Sequence, residues 1–184
     1  MMQRLFLFCL SVAVVAVLPA NEFPEPPHVL LERGMSALAE GRATYDRELL
    51  TVASDYARRA IEENRTYAAA YVLLGEASLW LSDYENAKRA FENARTFGYV
   101  GSELDLLQAR LAVLEGDLTA AEQRYDEILR SEPYNEQARV GKAVLSLRVG
   151  PTDSNRRELV RLAGRYPQNR QLLAALVRLS DDRG

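Results

Sequence analysis

The chain has 184 residues, of which 48% are hydrophobic and 27% charged, with one histidine, one cysteine and a formal net charge of −3 at pH 7. A single histidine and a single cysteine argue against Ser-His-Asp, Cys-His and multi-ligand zinc sites, and the net acidity argues against nucleic acid as a partner. The 164 residues after position 20 are enough for one elongated core.

The N-terminal stretch predicts a secretory signal peptide. Arg4 precedes an apolar run of fourteen residues, 5–18, and Pro19-Ala20 then leads into polar residues. Such a run forms about 21 Å of helix and is shorter than the roughly 20 residues that span a bilayer. We therefore expect residues 1–20 to be removed after Ala20, with an uncleaved membrane anchor as the alternative. Cys9 lies inside this segment, so the remaining chain is free of cysteine and suits the periplasm or secretion.

The next elements are a tether and two helices. Residues 21–27 contain three prolines, which predicts an extended tether. The apolar spacing over 28–40 predicts a first helix that ends at Gly41, since glycine readily takes the left-handed backbone of a helix C-terminus. The second helix should begin near Asp46 and run to about Glu63.

The stretch from Tyr71 to Pro133 is part of a repeat with a period of 34 residues. Two series carry it: Ala87, Phe91 and Ala94 recur as Ala121, Tyr125 and Ile128 and then as Asn155, Leu159 and Leu162, while Arg65, Tyr99, Pro133 and Pro167 are also 34 apart. A period of this length is typical of stacked helix pairs.

Local signals within the repeat predict how each pair is built. Gly75 and Ala87 are small, which lets two helices approach to about 8 to 10 Å, and Phe91 should fill the space beside them. Ser82 with Glu85 three residues later is a capping-box pattern that predicts a helix start. After Pro167, leucines on one face of 168–179 predict a last helix that covers the end of the array.

These motifs resemble the tetratricopeptide repeat (TPR), whose signature combines an aromatic residue, Leu-Gly, Ala-x3-Phe, Ala and a closing Pro. The resemblance implies an all-α fold, a right-handed superhelix of antiparallel helix pairs with about four repeats, a C-terminal capping helix, and about nine helices after the signal peptide. The expected TPR domain, 28–181, divides into repeats 28–67, 68–101, 102–135 and 136–167 and a capping helix 168–181.

Three parts of the chain depart from the TPR pattern. The first repeat has about seven residues too many before Ala53, so either the loop 42–45 is extended or the second helix begins a turn or two early. The third repeat has Asp105 and Gln108 where large apolar residues are expected, and the fourth has Asn155 at a place for alanine.

The resemblance also implies a binding surface. In TPR proteins the first helix of each pair lines the concave side through the second, fifth, ninth, twelfth and thirteenth positions, whose steps of three and four share one helix face. The candidate groove residues at these positions are Val72, Glu76, Leu79 and Trp80 in the second repeat, Leu106, Arg110 and Val113 in the third, and Val140, Val144, Leu147 and Arg148 in the fourth. Glu76 and Arg110 hold ninth positions of adjacent repeats and should meet across the groove floor.

The predicted function is a non-catalytic scaffold of the cell envelope that binds an apolar or amphipathic segment of another protein. A different interpretation of the aliphatic strip is that it packs between neighbouring first helices, or is covered by the Pro-rich N-terminal tail or by a second copy of the chain. The alternative function is a self-associating structural or assembly module that uses its acidic N-terminal and basic C-terminal ends head to tail. Val72, Glu76 and Leu107 stand where TPR proteins that bind chaperone C-termini need a polar clamp, so that ligand is not expected.

The sequence predicts no catalytic residue, no metal site and no cofactor. His28 and Glu32 are four apart, but two ligands do not make a metal site, and His28 should be exposed. Charge is unevenly distributed: residues 21–138 carry 12 basic and 22 acidic side chains, whereas 139–184 carry 10 basic and 4 acidic ones. The molecule should therefore be an electric dipole along its length.

Overall fold

The structure is a computed structural model that describes residues 24–150 and 152–181. The predicted signal peptide and residues 21–23 lie outside this part of the chain. Within it there are nine α-helices and no strand: α1 Pro27–Thr44, α2 Arg47–Glu63, α3 Ala68–Trp80, α4 Tyr84–Thr96, α5 Ser102–Glu115, α6 Leu118–Ser131, α7 Glu136–Val149, α8 Asp153–Arg165 and α9 Arg170–Asp181. None of these helices is both long and apolar enough to cross a membrane.

The helices form a solenoid of four antiparallel pairs followed by α9, which confirms the predicted fold class. Each helix contacts the next one along the chain, and each first helix also contacts the first helix of the next pair. The core is correspondingly divided into clusters that join neighbouring helices, as expected when each pair buries its apolar face on the next.

The first pair is longer than the others. The predicted end of α1 at Gly41 is wrong: the helix continues to Thr44, and Tyr45 takes the left-handed conformation with φ 58°. Gly41 is instead buried where the two helices meet, since a Cβ there would lie 3.1 Å from that of Leu49. The link between α1 and α2 is only two residues long, and Asp46 caps α2 by accepting from the backbone N–H of Glu48 at 2.8 Å. The extra residues are therefore absorbed by longer helices, with α2 beginning about one turn early.

The last residues of the predicted tether are fixed on this pair. Pro27 is the first residue of α1, where its missing N–H costs nothing. The Glu25 carboxylate lies 2.9 Å from the Arg33 guanidinium and 3.8 Å from that of Arg59, so it bridges α1 and α2.

The capping box predicted at Ser82 is also wrong. Ser82 has φ 65°, a left-handed conformation, whereas N-cap residues are typically extended. The cap of α4 is Asp83, which accepts from the backbone N–H of Asn86 at 3.2 Å. One repeat later, 34 residues on, Gly116 has φ 86° and Asp117 caps α6. Ser82 thus stands at a turn position that favours glycine.

The close approach predicted at Gly75 is present in the second pair. Phe91 is fully buried, and a Cβ at Gly75 would lie only 2.3 Å from its Cε1. The same device recurs between the third and fourth repeats, where a Cβ at Gly141 would lie 2.5 Å from Tyr125 Cε1. The aromatic ring takes the space that each glycine leaves.

At three positions where the TPR pattern predicts an apolar residue, the chain has a polar side chain that forms a hydrogen bond with a neighbouring part of the structure. Arg95 of α4 donates to Asp105 at 2.5 Å and to Gln108 at 2.9 Å, so a hydrogen-bonded edge joins the second and third repeats. Asn155 of α8 donates to the backbone carbonyl of Gly150 at 3.0 Å. Gly150 directly follows α7, so the side chain of Asn155 supplies a hydrogen bond that this carbonyl would otherwise lack. These departures from the TPR pattern therefore keep the helix contacts.

Candidate functional site

The first helices of the pairs form one continuous side of the molecule. Contacts run from α1 to α3, α5, α7 and α9 in turn, which places residues 34 apart next to one another on neighbouring helices. One such column, the ninth-position column, consists of Arg42, Glu76, Arg110, Val144 and Arg178.

The N-terminal half of this column is internally paired. The Glu76 carboxylate accepts a hydrogen bond from the Arg42 guanidinium at 2.7 Å, and the Glu76 side chain is only 13% exposed. Burial raises the pKa of Glu76, while the positive charges of Arg42 and Arg110 act in the opposite direction. Burial likewise lowers the pKa of Arg110, and the negative charge of Glu76 opposes that change. The two residues influence one another, but the expected direct pairing of Glu76 with Arg110 is wrong, because Arg42 holds the carboxylate.

Trp80 explains why Arg110 does not reach Glu76. The guanidinium carbon of Arg110 lies over the indole ring, 4.3 Å from its centroid, and that of Arg42 lies 5.5 Å from the same centroid. Tyr45 packs edge-on against the ring at 6.3 Å between centroids. The indole Nε1 of Trp80 is buried, and no described residue accepts a hydrogen bond from it. It nevertheless lies close enough to the Glu76 carboxylate to make a small contribution that lowers the pKa of Glu76. Trp80 is therefore largely closed off rather than presented to a partner.

Three of the candidate groove residues belong to the core. Val72 and Leu79 are 6% and 3% exposed and pack with Phe91 of α4 and with leucines of α5. Val140 is fully buried beside leucines of α8 and α9. A first helix lies against two neighbours at once, so these apolar side chains are enclosed between helices and are not open to a ligand.

Leu106 lies at a polar edge of the same side. It is partly buried against the cluster that joins α5, α6 and α7, and it borders a cleft of about 650 Å³ at the beginnings of α5 and α7. The cleft is otherwise lined by polar groups, including the carboxylates of Glu103 and Glu136. This edge is therefore acidic.

The remaining candidates come together in the C-terminal half. A cleft of about 350 Å³ lies between α5, α7 and α9, and we call it the C-terminal cleft. Its lining includes five of the predicted groove residues: Arg110, Val113, Val144, Leu147 and Arg148. The third wall is α9, which contributes Gln171, Ala174 and Arg178.

Comparison with solved structures reveals the same architecture elsewhere. TTC0263, a thermophilic TPR protein of Thermus thermophilus, is similar over 85% of this chain and 84% of its own length, with a TM-score of 0.65 and 20% sequence identity. This chain has a TPR fold. YrrB, a TPR protein with an unusual peptide-binding site, is similar over 86% of this chain and 93% of its own length, with a TM-score of 0.52 and 17% identity. No family model matches the sequence, and no curated protein matches it significantly.

The TPR fold accounts for the cleft residues that sequence reasoning missed. Helix α9 was expected only to cover the end of the array, but it lies where the first helix of a fifth repeat would lie. Adding 34 to Gln137, Val140 and Val144 gives Gln171, Ala174 and Arg178, which are inner positions of that repeat. Subtracting 34 from Glu76 gives Arg42. The repeat period could therefore have predicted the inner-surface residues of α1 and of α9 as well.

Proposed function

We propose that the protein is a non-catalytic scaffold that binds a segment of another protein in the C-terminal cleft. The observation that carries this proposal is the contrast between the two halves of the inner surface. Glu76, Trp80 and the arginines beside them fill the N-terminal half, while the C-terminal cleft stays open and has apolar side chains of three helices in its lining. Concave, largely apolar sites with a few polar groups are where proteins bind ligands.

The dimensions of the cleft suit a peptide segment. Its walls are helices, and an amphipathic helix or an extended strand laid between them can insert one or two apolar side chains. The similar structure of YrrB, a TPR protein with an unusual peptide-binding site, supports this class of ligand. We further propose that the scaffold works outside the cytoplasm, in the periplasm or secreted, because of the apolar segment 5–18 and the absence of cysteine after Cys9.

The test places a charge on the wall of the cleft. Ala174 of α9 lines the cleft and is exposed, so Ala174→Glu should leave the fold intact. Ala39→Glu, on the exposed side of α1, is the matched control. A tagged full chain should co-purify with its partner from envelope extracts, and Ala174→Glu should lose that partner while Ala39→Glu keeps it. Equal recovery by both variants, with equal melting temperatures, would rule out the C-terminal cleft as the recognition surface.

A second candidate function is self-association into an assembly. Residues 21–138 carry a net charge of −10 and 139–184 a net charge of +6, which favours head-to-tail contact between copies. Leu173 and Val177, four residues apart on α9, are 45% and 60% exposed and offer an apolar patch at the basic end. Sedimentation at low and high salt tests this alternative, since contact between opposite charges weakens as salt rises.

A further inference from the structure

The charges around the C-terminal cleft indicate what it binds. We propose that the cleft selects an acidic segment of a partner protein, one that places an apolar side chain between α7 and α9 and its carboxylates beside Arg148 and Arg178. This inference rests on the proposed function and narrows it from a segment of any composition to an acidic one.

The lining of the cleft is cationic and contains no carboxylate. Its charged members are Arg110, Arg148 and Arg178, one from each of the three helices that form it. Among the side chains of residues 24–150 and 152–180, no acidic group forms an ion pair with any of the three. Three guanidinium groups around one concavity raise the local potential and attract an anionic ligand.

The three arginines do not contribute equally. Arg110 is partly buried over Trp80 and feels the negative charge of Glu76, so part of its charge is already compensated. Arg148 and Arg178 are exposed, so their guanidinium groups are accessible to a ligand. Guanidinium groups bind carboxylates with two parallel hydrogen bonds, which makes these two residues the main contacts for acidic side chains.

The apolar part of the lining sets the second requirement. Val144 and Leu147 of α7 and Ala174 of α9 all line the cleft, and the small side chain of the alanine leaves room for a side chain from the ligand. An acidic segment without an apolar residue would leave this apolar surface exposed to water, and binding would lose the free energy that burial of the surface provides.

The opposite edge of the inner surface fixes the direction of the segment. The cleft at the beginnings of α5 and α7 has Glu103 and Glu136 in its lining, and like charges repel an acidic ligand there. The carboxylates of the partner should therefore lie toward the C-terminal ends of α7 and α9, where Arg148 and Arg178 are.

The experiment compares charge at constant apolar content. Three fluorescein-labelled peptides of about four helical turns share leucines at spacings of three and four and carry Glu, Gln or Lys at all other positions. Fluorescence anisotropy measures their affinity for the full chain and for Arg178→Gln. Arg157→Gln serves as the matched control, because Arg157 is an exposed arginine of α8 outside the cleft.

The Glu peptide should bind at least about tenfold more tightly than the Lys peptide at low salt, and raising the salt should reduce that ratio. Arg178→Gln should weaken the Glu peptide about threefold to tenfold, whereas Arg157→Gln should leave it within about twofold. Affinity for the Gln peptide should be nearly the same in all three proteins.

Other outcomes overturn the inference in distinguishable ways. Equal affinity for the three peptides, lost in Ala174→Glu, would retain peptide binding in the cleft and reject the preference for acidic segments. No binding of any peptide would reject both proposals. A dimer that forms without peptide and dissociates in Arg178→Gln would assign the cleft to a second copy of the chain.

Discussion

Replacing Gly75 with leucine tests the close helix contact between α3 and α4. A Cβ at this position would lie 2.3, 2.5 and 3.0 Å from three ring atoms of Phe91. Phe91 is fully buried with Ala87 and Ala94 of its own helix and with leucines of α5. The ring therefore has little space to move into, and α3 and α4 must separate to admit the larger side chain.

The magnitude follows from two opposing effects. Overpacking a core costs typically 1 to 3 kcal/mol and sometimes more, and leucine brings three further carbon atoms beyond the clashing Cβ. Replacing glycine inside a helix returns about 1 kcal/mol through helix propensity. Because the Cβ already clashes with three atoms of a fully buried ring, we place the overpacking cost at or above the top of that range, at about 3 to 5 kcal/mol, which leaves a net loss of about 2 to 4 kcal/mol in the free energy of unfolding. For a domain of this size the melting temperature should fall by about 5 to 15 °C.

The assay is thermal and urea unfolding of the full chain, with two further variants. Gly164 of α8 is exposed and a Cβ there would meet nothing within 4 Å, so Gly164→Leu should have no packing cost and a slightly raised stability. Phe91→Leu removes the ring that causes the clash. In the double variant Gly75→Leu/Phe91→Leu, the loss should be at least about 1 kcal/mol smaller than the sum of the two single losses.

An unchanged melting temperature in Gly75→Leu would show that the helices do not approach at this glycine. Additive losses in the double variant would show that Phe91 is not what the new side chain meets. Either result would refute the argument from close approach.

Two other predictions concern single residues, and a third concerns export. Burial raises the pKa of Glu76 above its ordinary value, so over the acidic range in which this carboxyl titrates the folded protein binds more protons than the unfolded chain, and the Glu76 contribution to stability falls as the pH rises through that range. Glu76→Gln should abolish this fall in urea titrations, and identical pH profiles would contradict it. Ser82→Gly should raise stability by about 0.5 to 1 kcal/mol because Ser82 is left-handed, whereas a loss of stability would return Ser82 to a capping role. N-terminal sequencing of the exported protein should begin at Asn21, and a soluble cytoplasmic chain with residues 1–20 intact would refute export.

The 34-residue period by itself determined the fold. A recurring pattern such as Ala87, Phe91 and Ala94 requires the same helix pair to form and stack several times, so the number of helices and the contact between Gly75 and Phe91 follow from it. Positions that repeat under one mechanical constraint can be recognised in a single sequence.

Helix ends were less predictable, since they depend on backbone conformation at one or two residues. Gly41 and Ser82 illustrate both directions of error. A glycine that suits a left-handed turn is used for close packing in the first pair, and a serine that suits a cap takes the left-handed turn before α4. Either role is compatible with the residue type, and the neighbouring helix decides between them.

The inner surface shows what only the tertiary structure decided. The sequence placed Val72, Val113 and Val144 on the inner faces of three successive first helices. Whether each side chain is buried or accessible to a ligand depends on how closely the two neighbouring helices approach it. Val72 of α3 is buried against α4 and α5, whereas Val113 and Val144 border the C-terminal cleft. The tertiary structure likewise decided which arginine pairs with Glu76. The guanidinium of Arg110 lies over the ring of Trp80, so the Glu76 carboxylate accepts its hydrogen bond from Arg42 instead.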